Sequence, residues 1–224
     1  MQYITALKDF QDETYRVFLQ NILKEGLPVL GVRAHDIKMI AKSADIASLF
    51  KNIEKDQYHE QRMVRLQLLA LTKMDEYTRI ELIDKMLPFV DSWALTDSFV
   101  SALKSTKKER DLYVPFIQDQ STQEYSYRVR FALVMLNSYF HSHAFLKKSL
   151  SIIEGVHRSE KEIVMAKAWA IVTMLSHHPQ EAIHWYDKAP IEEIVHRRVV
   201  QKARESRVVD KTTVERIGTK KVFI

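Results

Sequence analysis

Apolar residues recur at helical spacing along almost the whole chain, and no stretch alternates apolar with polar over the length of a strand. In EQRMVRLQLLALTKM, Met63, Val64, Leu66, Leu68, Leu69 and Leu71 make a stripe broad enough for a helix packed between neighbours. The same period predicts helices over 14–25, 35–43, 45–53, 75–87, 93–105, 111–117, 124–139, 143–154, 161–176, 180–187 and 191–206. Short polar side chains stand where helix starts need a cap: Asp75, Asp91 or Ser92, and Ser159. Gly26 with Pro28, and then Gly31, mark breaks; Pro179 and Pro190 suit first helical turns. The second helix of each successive pair starts near 59, 92, 124, 161 and 191, at intervals of 33, 32, 37 and 30 residues. Helix pairs at irregular intervals in the thirties predict an all-α fold, an α-solenoid of about six HEAT-like helical hairpin repeats, as one domain over 1–224. Its second helices would line a concave surface. A compact helical bundle is the alternative.

Composition narrows the function classes. Four Gly and five Pro in 224 residues are few for a β-sandwich, while 46% hydrophobic residues suffice for a continuous core. The absence of Cys excludes thiol catalysis, cysteine zinc sites and disulfides. No apolar run reaches the roughly 18 residues that span a bilayer. The start, MQYITALKDFQDE, does not read as a signal peptide, so a cytoplasmic location is expected. A net charge of +5 is compatible with nucleic acid and demonstrates nothing alone.

Four residues on the second helices stand out. Trp93 and Asp97 are four apart in DSWALTDSF and share a helix face. Arg130 enters the apolar helix YRVRFALVML, and an arginine there meets an acid or a phosphate. Trp169 sits within MAKAWAIV. From the residues alone, packing between hairpins is the favoured reading of Trp93, Asp97 and Trp169, and Asp97 is a plausible partner for Arg130 one repeat on. Trp185 reads as packing.

Taken in order, these segments resemble the HEAT-like-repeat DNA alkylation repair glycosylases. LGVRAHDIKMIAK, DSWALTDSFVSALK, YSYRVRFALVMLNSYF, IVMAKAWAIVTMLSHHPQ and VVQKARESRVVD carry the resemblance over nearly the whole chain. It implies excision of positively charged alkylpurines, N3-methyladenine and N7-methylguanine, from duplex DNA, with no metal or cofactor. Asp97 would then stabilise the developing oxocarbenium charge and position water. Trp93 and Trp169 would hold the deoxyribose, and Arg130 a backbone phosphate. His35 stands where many relatives have proline. The early helix that grips DNA in active members would fall within 13–25, which carries only Arg16 and Lys24 as basic residues.

The resemblance also makes the concave surface a DNA-binding one. Phosphate contacts are expected from Arg33, Lys38, Lys104, Arg128, Lys167, Arg198, Lys202 and Arg204, with Lys107, Lys108, Arg197 and Arg207 as further candidates. The partner would be alkylated double-stranded DNA, bound by a nucleoid-associated monomer with no membrane attachment. A non-catalytic member binding damaged or branched DNA is the alternative function, and a helical scaffold for proteins a third. His141, His143, His177, His178 and His184 lack the ligand spacing of a zinc site, so no metal is expected.

Overall fold

The computed structural model describes residues 3–24 and 26–220, and every regular element among them is helical. The chain forms two compact units, one up to Glu109 and one from Arg110 onward.

The first unit contains α1 (Ile4–Asp9), α2 (Glu13–Ile22), α3 (Ala34–Ser43), α4 (His59–Leu71), α5 (Glu76–Met86) and α6 (Trp93–Ala102). Helix α4 lies at its centre, against α3 on one side and α6 on the other, with α5 also packed on it. The second unit contains α7 (Arg110–Gln120), α8 (Ser126–Tyr139), α9 (His143–Glu154), α10 (Lys161–His177), α11 (Pro179–Lys188), α12 (Glu193–Glu205) and α13 (Lys211–Gly218). Here α10 is central, packed between α8 and α12, while α9 and α11 also rest on it. Each unit thus sets the second helices of consecutive hairpins side by side.

Buried polar groups tie the hairpins together. The Glu60 carboxylate is fully buried and accepts the backbone N–H groups of Leu30, Gly31 and Val32 at 2.9, 2.8 and 3.3 Å. That pins the approach to α3. Gly31 sits at φ +83°, and a Cβ there would lie 2.4 Å from Asp12 O. Arg65, also buried, forms a fork on Asp56 with both bonds at 2.8 Å. Its remaining donors reach the carbonyls of Ser48, Leu49 and Lys51.

Several basic side chains cap helix C-termini, where unpaired carbonyls and the helix dipole favour a cation. Arg79 donates to the carbonyls of Leu69, Ala70 and Thr72 at the end of α4. Arg110 reaches Tyr139 O at the end of α8, and Lys220 reaches Tyr186 O and Ala189 O at the end of α11.

Four sequence expectations need correction. The helix expected over 45–53 is two 3-10 turns, Ile46–Ser48 and Ile53–Lys55. Asn52 in the left-handed region at φ +53° breaks the run, and Arg65 takes the carbonyls a helix would have used. Helix α2 stops at Ile22, short of residue 25. Glu160, without a side-chain cap bond, replaces Ser159 as the N-cap of α10. Pro190 lies ahead of α12, which starts at Glu193. Helices α1 and α13 add to those that the apolar period predicts.

Candidate nucleic-acid interface

Helix α6 begins at Trp93 because Ser92, itself buried, accepts the Leu95 N–H on its side chain. Asp91, the other candidate cap, is held instead by Arg62, which also donates to Phe89 O. Burial pushes the Asp91 carboxyl up, against the pull of the Arg62 charge. Leu95, Thr96, Phe99 and Val100 point into the unit. Trp93, Asp97 and Ser101, each four residues on, face outward. Trp93 is 42% exposed and Asp97 half-buried one turn beyond it. On α4 the outward row is Met63, Gln67 and Leu71, and Gln67 donates to Ser98 Oγ at 3.3 Å. That bond sets the outward rows of α4 and α6 beside one another.

In the second unit, α8 is buried along nearly its whole length. Arg130 is 6% exposed, and its Nη1 donates to Glu162 O in the first turn of α10 at 2.8 Å. Helix α10 from Ile163 to Ser176 reaches solvent only through Met165, Trp169, Thr173 and Ser176, a single row at spacings of four, four and three. Trp169, on that row, is 40% exposed. Thr173, one turn further, bonds the Asn137 side chain on α8. Neither Asn137 nor Thr173 was singled out in the sequence, although Thr173 lies one helical turn from Trp169 and was legible from that spacing.

The basic candidates separate into groups. Lys104, Lys107 and Lys108 are exposed on and just after the 3-10 turn Lys104–Lys107 that follows α6. Lys38 is exposed on α3. Arg33 pairs with Asp12 at 2.8 Å and stacks over the Tyr15 ring at 4.7 Å, so part of its charge is spent on holding α2. Arg128 donates to Gln120 at 2.6 Å. On α12, Arg198 and Arg204 are exposed and Lys202 half-buried, while Arg197 pairs with Glu193. Arg207 is exposed in the loop after α12.

Lys167 is a correction. It is 1% exposed, with Nζ on Val156 O at 2.6 Å and on the Glu192 carboxylate at 2.8 Å. Burial holds its ammonium pKa down, against the pull of Glu192. A cation spent in this way offers nothing to a phosphate. A separation of two residues turns Lys167 and Trp169 to different sides of α10.

The first unit thus exposes Trp93 with Asp97 one turn on, and the second exposes Trp169 on α10 and basic side chains on α12. The family described as DNA alkylation repair enzyme matches residues 3–211. The chain belongs to this family. No curated protein matches the chain. Membership of the DNA alkylation repair family assigns the chain to DNA repair, with DNA as its substrate class. No helix among the described residues is long and apolar enough to cross a membrane.

Proposed function

We propose that the protein is a DNA glycosylase that hydrolyses the N-glycosidic bond of cationic alkylpurines, N3-methyladenine and N7-methylguanine, in duplex DNA. The reading rests above all on Trp93 and Trp169, each about two-fifths exposed on the outward row of its helix.

The chemistry follows from the lesion. Alkylation leaves the base positively charged, so it departs as a neutral molecule and takes both electrons of the glycosidic bond. Positive charge then develops on the sugar. The Asp97 carboxylate stabilises that charge and orients a water. The water oxygen bonds to the anomeric carbon, and its proton passes to the carboxylate or to solvent. Trp93 and Trp169 hold the deoxyribose and add a cation–π contribution as charge builds. Arg130, nearly buried with Nη1 on Glu162 O, would have to shift from that carbonyl to hold a neighbouring phosphate. No metal or cofactor is required by these steps.

Within this proposal the helical hairpins form one α-solenoid of about six HEAT-like repeats, a single domain with a concave DNA-binding face. Arg33, Lys38, Lys104, Arg128, Arg198, Lys202 and Arg204 supply sequence-independent phosphate contacts. The protein works as a cytoplasmic, nucleoid-associated monomer.

A specific observation favours a second reading. Helix α2 buries no residue and turns Val17, Phe18 and Ile22 outward, while its Arg16 is paired with Glu13 at 2.6 Å. A helix so poor in available cations is ill suited to gripping a duplex, which favours a binding protein without excision. Release of N7-methylguanine and N3-methyladenine from methylated duplex DNA, wild type beside Asp97→Asn, separates the two. Release by wild type alone supports the glycosylase; binding without release by either supports the second reading.

A further inference from the structure

Helices α9 and α11 both pack on α10, and between them they leave a groove of about 740 Å³. No residue of α8, α10 or α12 lines it. One face of α9 forms its floor through Leu146 and Leu150, spaced four apart and nearly fully buried. Trp185 of α11 forms a wall. Its indole N–H donates to Glu154 Oε2 at 2.8 Å, which fixes the rotation of the ring. A volume of this size, largely apolar with a few converging polar groups, is typical of small-molecule sites.

The charges around the groove select the ligand. Two carboxylates line it, Glu154 on α9 and Glu181 on α11. The imidazoles at its rim already have acidic neighbours. His143 lies 3.7 Å from Glu181, and His157 is bonded to Glu192 at 2.9 Å. Lys147 is exposed on the α9 side. An anion would find one lysine against two carboxylates. A neutral apolar ligand would cover both carboxylates and give them nothing in exchange. A flat cation satisfies the indole and the carboxylates together, since an aromatic face attracts positive charge and adjacent carboxylates neutralise it.

We infer that this groove binds a planar organic cation, a conjugated body with a delocalised positive charge. The inference is independent of the glycosylase reading, because none of its residues belongs to that site.

The test uses the full chain labelled with nitrogen-15. Its three tryptophans give three indole N–H signals, with that of Trp185 assigned by Trp185→Phe. N-methylquinolinium serves as the probe, and quinoline, uncharged at mildly alkaline pH, as its neutral counterpart. The expected result is a saturable shift of the Trp185 signal with the cation and at least about tenfold weaker binding of quinoline. Glu181→Gln should weaken the cation about tenfold; its side chain is 53% exposed, so the fold is not at risk. A Trp185 signal that does not move overturns the inference, and so does equal affinity for the two probes. Shifts confined to the other two indoles also overturn it.

Discussion

Lys167 and Glu192 join α10 to α12 through a 2.8 Å ion pair in which the lysine is sealed from solvent. Removing one partner of a buried pair strands the other, at a cost of about 3–5 kcal/mol. Glu192 is itself 30% exposed and bonded to His157, so Lys167→Ala should lower stability by less, about 1–3 kcal/mol in chemical denaturation. The salt dependence of DNA binding should be unchanged. Lys104→Ala should do the opposite, sparing stability and reducing the salt slope by about one. A reduced slope for the Lys167 variant would return that residue to the DNA surface.

Asp97→Asn should reduce base excision by about a hundredfold or more, the scale of losing one electrostatic stabiliser of a transition state. DNA affinity should change little. Single-turnover release and equilibrium binding on the same duplex check both halves. Loss of affinity with unaltered chemistry would make Asp97 a positioning group.

For Trp169→Ala, the melting curve discriminates. A core tryptophan costs about 3–5 kcal/mol when truncated. At 40% exposure, Trp169 should cost less than that, about 2–3 kcal/mol, while excision falls sharply. A full core-sized loss would mean that the indole serves packing.

Acid should destabilise the protein through His59. Burial first, and the Arg62 charge second, hold its imidazole down to about 4 from an ordinary 6.5. The unfolded chain takes up a proton that the folded one refuses. The contribution to stability is complete above pH 6.5 and is lost as pH falls from there through 4. At about 1.4 kcal/mol per pKa unit, the loss approaches roughly 3 kcal/mol. Urea titrations across this range should show the slope, and His59→Gln should flatten it.

Helix type and order were legible because apolar period and capping chemistry agree, as at Ser92 and Trp93 or Asp75 and Thr78. Helix α13 carries the same signal: Asp210 caps it through the Thr213 N–H, a polar residue placed just ahead of the run. The turns of 45–58 were not. Their backbone answers to Arg65, whose partners lie 9 to 17 residues away in sequence. Lys167 carried a local warning, since Ile163, Val164, Ala170 and Ile171 at helical spacing put it on a buried face. Its partner, 25 residues on, could not be read from spacing. Exposure of Trp169 was equally hidden, because an apolar helix with one open row has nearly the same pattern as one with none.

That open row confines how α10 can be altered by evolution. Between Ile163 and Ser176 a substitution can change what the helix presents to a ligand at Met165, Trp169, Thr173 and Ser176. Everywhere else along it, a new side chain must first be accommodated by neighbouring helices. Change in what α10 presents would run through those four positions, and the rest of the helix would change only together with its packing partners.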